Sequence, residues 1–238
     1  MNPYQLVVFD MAGTTVTDRH EVESCFATAA AETGLSVSAE RILAMQGMAK
    51  RHVFDTLWTE QLGTGHDELT RHVDHSYLRF TEVLETHYLT RDITPTTGCL
   101  ETFAFLREQG IAIALTTGLY RKVTDIVLQK FGWLEGLNAG YVGTKQSVIQ
   151  VSIASDEVPR GRPEPLMIQK AMYLLGVTNP AAVVNIGDTP SDLLSGRAAG
   201  VGLNLGVTNG THSREQLLHH PHDQLIGSLA ELSALIVS

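Results

Sequence analysis

An apolar run that ends in a carboxylate opens the chain: Leu6-Val7-Val8-Phe9-Asp10, followed by Met11-Ala12-Gly13-Thr14-Thr15. Successive apolar residues before a turn signal read as a buried strand. Asp10 then falls at the strand's carboxyl end, where open α/β sheets bind ligands. A buried carboxylate costs free energy unless it is paired or holds a metal. Three later segments carry partner chemistry: Thr117-Gly118, Gly161-Arg162-Pro163 and Gly187-Asp188-Thr189-Pro190-Ser191-Asp192. Singly, each has an ordinary reading. Thr-Gly is a common turn, Gly-Asp after a strand is a common helix start with Asp as N-cap, and a lone Arg is usually solvated. Together they fit one task. Asp10 and Asp188 can hold a hard cation through oxygen ligands, with Asp192 one helical turn further on. Thr117, the Gly118 amide and Arg162 can hold phosphate oxygens. A carboxylate beside that cation can act as a nucleophile, and the cation offsets its repulsion from an incoming dianion.

These residues must be positioned by two kinds of structure. After Thr15 the pattern turns helical: Val22, Cys25, Phe26, Ala29 and Ala30 recur at helical spacing, and Gly34 closes the segment. Ser38 precedes a short helix through Ile42, Leu43 and Met45, and Gly47 interrupts it. Val53, Phe54, Leu57 and Trp58 mark a third helix, and Leu69 to Tyr88 a long fourth. Residues 19–92 are thus a helical block, and Ile93-Thr94-Pro95-Thr96-Thr97-Gly98 is the linker out of it. The remainder alternates. A helix over Cys99–Gln109 precedes a strand over Ile111–Thr117, and a helix with Val123, Ile126, Val127 and Phe131 follows. A short strand near Tyr141-Val142 comes next, then a polar loop to Pro165 and a helix to about Leu175. Ala182–Ile186 is a buried strand, followed by a helix that ends at Gly200, and Val201–Val207 and Asp223–Ile226 are weaker strands. Strands alternating with helices predict an α/β fold, a doubly wound, Rossmann-like parallel sheet covered on both faces. The expected division is a core of residues 1–18 and 93–238 with residues 19–92 inserted as a cap over the Asp10 end.

Composition narrows the function classes. With 238 residues, 43% hydrophobic and 18% charged, the chain can bury a sizeable core. A net charge of −9 argues against a nucleic-acid-binding face. Cys25 and Cys99 cannot make a disulfide framework and read as buried thiols in a reducing cytoplasm. No stretch is long enough to span a membrane, and Met1-Asn2-Pro3-Tyr4 leads into the first strand without a signal peptide.

The order and content of the four chemical segments resemble the haloacid dehalogenase superfamily of aspartyl-phosphate hydrolases. Its first motif commonly reads D-x-D-x-T, whereas here the second Asp is Ala12. D-x-A-G-T-T, with Arg162 in G-R-P, looks like the phosphonoacetaldehyde hydrolase, or phosphonatase, branch. The resemblance implies that Asp10 attacks phosphorus. It implies that the Asp10 carboxylate, the Ala12 carbonyl and Asp188 bind Mg²⁺, supported by Asp192 directly or through water. It gives Thr117, Gly118 and Arg162 the phosphoryl oxygens, and Thr14 a part in fixing the nucleophile's loop at the substrate site. Gly47-Met48-Ala49-Lys50 resembles the G-x-x-K of the phosphonatase cap, where the Lys forms a Schiff base.

Ala12 also has a direct chemical meaning. A carboxylic acid two residues after the nucleophile would protonate a leaving oxygen and later activate water. Ala can do neither, so either another group does, or the leaving group needs no proton. A carbon leaving group released as an enamine fits the second case and requires an amine such as Lys50. At the start of a predicted helix, Lys50 would meet the partial positive charge of the helix N-terminus, which favours the free amine. The alternative is that Lys50, with Arg51 beside it, merely binds an anion. Two positions depart from the phosphonatase cap: His20 stands where that cap has Cys, and Val53 where it has His. His52 lies two residues after Lys50, and residues two apart on a helix do not face each other.

The remaining histidines have plain readings: His66, His72 and His75 on a solvated helix, and His219, His220 and His222 in a loop around Pro221. Trp58 and Trp133 read as core. The expected activity is Mg²⁺-dependent cleavage of the C–P bond of phosphonoacetaldehyde or a close relative. The alternatives are a phosphatase of a small ester such as phosphoglycolate, and a non-catalytic binding protein on the same fold. The expected partner is a small phosphorylated or phosphonate substrate, with no nucleic acid or membrane, and the expected assembly is a monomer or homodimer.

Overall fold

The strand that carries Asp10, β1 (Leu6–Asp10), is buried along its whole length. Its alternation feeds two cores: Leu6 and Val8 pack into one apolar cluster, Val7 and Phe9 into the other. This is why the run reads as continuously hydrophobic, since a strand covered on both faces has no polar side. The computed structural model describes residues 3–236, so the expectation about a signal peptide at Met1-Asn2 lies outside the described residues. Around β1 stand β2 (Ala112–Thr116), β3 (Val151–Ile153), β4 (Val183–Gly187), β5 (Leu203–Val207) and β6 (Gln224–Ile226). They form one parallel sheet in the order β3-β2-β1-β4-β5-β6. The order reverses at β1, which creates the crevice where doubly wound folds bind ligands.

Between β1 and β2 lie α1 (Glu21–Glu32), α2 (Ala39–Ala44), α3 (Lys50–Leu62), α4 (Leu69–Thr90) and α5 (Cys99–Glu108). Beyond β2 come α6 (Arg121–Lys130), α7 (Leu166–Leu175) and α8 (Pro190–Ala199). Gly34 follows α1 at φ 83° and Gly200 caps α8 at φ 69°, the left-handed stops expected of both. In α1, α3 and α4 the apolar stripes meet: the Phe26 and Phe54 rings stack at 4.2 Å, and Phe80 closes on both. Burying each such ring contributes roughly 1.5–3 kcal/mol. Trp58 is also buried and gives its indole N–H to the Ser76 hydroxyl at 2.8 Å. The chain enters and leaves this helical block side by side. The Thr17 N–H donates to the Thr94 carbonyl at 2.9 Å and the Thr96 N–H to the Thr15 carbonyl at 3.1 Å.

One strand expectation is corrected. Tyr141-Val142 is not a strand of the sheet; Val142 makes only an isolated bridge to Val151. The strand beside β2 is β3, inside the stretch read as polar loop. Its three residues are too short to show an alternation, yet all are buried, with Val151 and Ile153 packed against Met167 and Ile168 of α7. His72 is a smaller correction: it is half-buried, with its ring 4.3 Å from that of Trp58. Cys25 and Cys99 are free and buried, and Trp133 lies in the core as expected.

Candidate active site

The register of the sheet levels the strand ends that carry the chemistry. Asp10 pairs with Thr116 and Phe9 with Ile186, so Asp10, Thr117 and Asp188 emerge together from β1, β2 and β4. The loop after β1 then turns back on itself. Gly13 adopts φ +91°, and a Cβ there would lie 2.2 Å from Asp188 Oδ2. A side chain at that position would push Asp188 away. The Thr14 hydroxyl donates to Asp188 Oδ1 at 3.0 Å, and the Thr15 hydroxyl to the Asp10 carbonyl at 3.0 Å. Thr14 is fully buried, and its bond ties the loop after β1 to Asp188.

The ordinary reading of Asp188 as an N-cap also fails. Thr189 is the N-cap of α8, with Pro190 next and Asp192 completing a capping box. Asp188 is thereby released from capping. It is fully buried, accepts the Thr211 N–H at 2.7 Å, and its carboxyl is held above the usual range by burial. Asp192 has both oxygens engaged: Oδ2 accepts the Thr189 hydroxyl at 2.5 Å and its N–H at 3.1 Å, and Oδ1 accepts Arg162.

Arg162 is not a solvated residue. It is buried between two carboxylates, donating from Nη2 to Asp10 Oδ1 at 2.7 Å and from Nη1 to Asp192. The fork expected to take phosphoryl oxygens is thus anchored at Asp10, the expected nucleophile. Arg162→Lys keeps the charge but cannot bridge both partners through two nitrogens. Losing one charge-assisted bond, worth ~1.5–3 kcal/mol, predicts a fall in kcat/KM of roughly ten- to a hundredfold. Arg162→Ala should fall further and also lower the melting temperature, because two buried carboxylates lose their cation. Unchanged kcat and KM in Arg162→Ala would remove Arg162 from the site.

A cation fits this donor set. Asp10, Asp188 and Asp192 each present an oxygen within 4.8 Å of the others, and all three are buried. One guanidinium does not neutralise three carboxylates. Burial, opposed by Arg162 and aided by Asp188, raises the Asp10 carboxyl to about 6. A hard divalent cation would relieve that repulsion, and oxygen-only donors are what Mg²⁺ prefers. The hydrogen bonds that close the turn end on the Met11 and Val16 carbonyls rather than on that of Ala12. Ala12 lines the cavity.

Above the strand ends, the cavity is closed by the helical block. Asp10, Ala12, Thr117 and Gly118 line it from the sheet, and Gly47 and Lys50 from the block. Gly118 is where the two meet: a Cβ there would lie 2.6 Å from the Gly47 carbonyl oxygen. Gly47 itself lies against Thr189 and Ser191, and the Ser191 hydroxyl donates to the neighbouring Gln46 carbonyl at 3.1 Å. The Thr117 hydroxyl accepts the Leu119 N–H at 3.1 Å.

Lys50 is the first residue of α3 and only 4% exposed. Its amine is pushed down to about 8, first by burial and then by Arg162. The expected direction holds, but its main cause is desolvation rather than the helix terminus. The Lys50 ammonium donates to Gln46 Oε1 at 3.2 Å. His20 turns outward, its side chain 64% exposed beside Glu23. Val53 is core, and Arg51 pairs with Asp74 at the surface. His52 lines a different hollow, with Ala49 and Pro163. Sequence reasoning missed Gln46 and Asp18, both in the Lys50 cavity. For Gln46 the four-residue spacing to Lys50 was a signal; Asp18, in a connecting segment, gave none.

Comparison with known proteins agrees with this geometry. Residues 4–200 match the model of a hydrolase family described as haloacid dehalogenase-like hydrolase. A phosphonoacetaldehyde hydrolase of Bacillus cereus is 32% identical over 231 residues, covering 90% of this chain and 80% of the relative. Among solved structures, a phosphonoacetaldehyde hydrolase like protein from Oleispira antarctica superposes with a TM-score of 0.78 at 18% identity, over 99% of this chain and 92% of the other. A putative phosphoglycolate phosphatase from Lactobacillus delbrueckii reaches 0.74 at 18% identity, over 99% of both chains. At these identities the two structures establish the shared fold.

Proposed function

The chain belongs to the haloacid dehalogenase-like hydrolases, and on that premise we propose that it cleaves the C–P bond of phosphonoacetaldehyde or a close relative. The observation that carries this reading is a buried, readily deprotonated Lys50 amine in the same cavity as Asp10, with Ala12 unable to serve as an acid. In this reading Lys50 condenses with the substrate aldehyde. The iminium draws electrons from the C–P bond while an Asp10 oxygen attacks phosphorus. The carbon then leaves as an enamine, which needs no proton from position 12. Arg162, Thr117 and the Gly118 amide hold the phosphoryl oxygens. Asp10, the Ala12 carbonyl and Asp188 are the residues that would hold Mg²⁺, with Asp192 supporting them. When bound, that ion supplies the positive charge that lets a carboxylate approach a dianion. Water finally hydrolyses the aspartyl-phosphate.

A phosphatase acting on a small ester such as phosphoglycolate is the second reading. It is favoured by Asp18, a second carboxyl in the cavity that could supply the missing acid. Membership in a hydrolase family sets the non-catalytic reading aside. We further read residues 19–92 as the cap and residues 1–18 and 93–238 as the core, supported by the paired crossing at Thr17 and Thr94. Among the described residues no helix is long and apolar enough to cross a membrane. We also read the chain as cytoplasmic, a reading supported by its two buried free thiols, and as a monomer or homodimer.

A phosphate-release assay on phosphonoacetaldehyde and phosphoglycolate, with and without Mg²⁺, tests this. Phosphate should come from the phosphonate. Chelation should lower the rate by at least ~100-fold, in line with the several kcal/mol a metal contributes, and added Mg²⁺ should restore it. Release from the ester alone would favour the second reading.

A further inference from the structure

Among the described residues, Asp10 and Asp18 are the acidic groups lining the cavity, and the reaction above leaves Asp18 unused. It sits between two fixed points. Thr17 is tied to Thr94 across the chain crossing, and Asp18 Oδ1 accepts the Glu21 N–H from the first turn of α1 at 2.7 Å. The side chain is therefore pinned, half-buried, at the edge of the cavity that holds Lys50. Its charged and titratable surroundings are mostly acidic or neutral: Glu21 on its own segment, Asp188 from the β4 end, Lys50 from α3, Cys25 from α1 and Tyr88 from α4. Burial and the adjoining Glu21 carboxylate push Asp18 up to about 8, while Glu21 itself is lowered. Two carboxyls in contact share a proton, and the more buried one keeps it. A carboxylic acid that stays protonated near neutral pH can donate.

We propose that Asp18 is the proton donor and acceptor for the condensation at Lys50. This rests on the Schiff-base reading of Lys50 given above. The Lys50 nitrogen lone pair forms the C–N bond, the carbonyl pair moves to oxygen, and that oxygen takes the Asp18 proton. The nitrogen then returns a proton to the Asp18 carboxylate. In the second step the C–O bond breaks, the hydroxyl leaves as water with the Asp18 proton, and the nitrogen pair forms C=N. The products are water, an iminium and the Asp18 carboxylate, so charge and atoms balance. A purely structural role makes a different demand. Capping the Glu21 N–H needs only an oxygen acceptor, which Asn provides as well as Asp.

That difference is the test. Purified Asp18→Asn and wild type are mixed with phosphonoacetaldehyde and Mg²⁺. Adduct formation is trapped with borohydride in single turnovers, and kcat is followed from pH 6 to 10. Asp18→Asn should melt like wild type, form the Lys50 adduct about 10²–10⁴-fold more slowly, and lose the alkaline fall in kcat. Asp18→Glu should recover part of both. If Asp18→Asn traps at the wild-type rate with an unchanged pH profile, the proposal is overturned while the Schiff-base reading stands. If wild type turns over with no adduct, the reading fails and the proposal with it. Should Asp18→Asn not fold, Glu21→Gln reads the same point. Removing the neighbouring carboxylate makes Asp18 lose its proton at lower pH, so the alkaline limb should move to lower pH. A limb that stays in place overturns the proposal.

Discussion

Asp10→Asn should lose at least about a thousandfold in turnover, the scale expected when a covalent nucleophile is removed. The substitution keeps the side-chain shape, and the Asn oxygen can still accept from Arg162, which in the wild type donates to Asp10 Oδ1 at 2.7 Å. It removes the negative oxygen that the proposed mechanism needs for attack, and one of the three clustered carboxylates that could hold a cation. Because Asp10 is buried at the end of a strand whose partners are paired on both sides, the variant should keep its fold. Loss of activity then reads chemistry rather than unfolding. The measurement is kcat at saturating Mg²⁺ with a melting curve on the same sample. A variant that kept a tenth of wild-type turnover would sink the aspartyl-phosphate mechanism.

Lys50→Arg should abolish C–P cleavage altogether. A guanidinium keeps the positive charge but cannot condense with an aldehyde near neutral pH. With the amine at about 8, roughly a tenth of wild-type Lys50 is free amine at pH 7, and the fraction rises with pH through that value. Borohydride added during turnover with phosphonoacetaldehyde should leave a stable adduct on the peptide containing Lys50. If Lys50 only binds an anion, borohydride labels nothing specifically, and Lys50→Arg keeps much of its activity on a phosphate ester. An active enzyme with no substrate-dependent adduct, whose Lys50→Arg variant still turns over, would decide against C–P cleavage through an imine.

Much of the fold and the position of Asp10 were legible from residue order because they depend on short-range rules. Continuous apolar character marks β1 as a strand covered on both faces, and periodicity marks the helices from Glu21 to Thr90. Recurrence of strand and helix after Cys99 implies a parallel sheet, and parallel order brings Asp10, Thr117 and Asp188 to one edge. Even the depressed amine of Lys50 was readable in direction. Its cause was not, because desolvation depends on what covers a residue, and Lys50 is covered by segments far from it in sequence. β3 escaped notice for the same reason: three residues carry no period, and only packing against α7 buries them.

Tertiary structure alone decided which groups face one another. Thr189 rather than Asp188 caps α8, which frees Asp188 for the carboxylate cluster. Arg162, 152 positions from Asp10, closes on it as a buried fork. Docking the helical block against Gly118 puts Lys50 and Asp18 in one cavity and turns His20 and His52 away from it. Local sequence determines which backbone each segment adopts, since capping, turn and periodicity preferences act over a few residues. Which side chains then share a cavity, and which of them lose their charge there, depends on burial by distant segments, and that only the folded chain supplies.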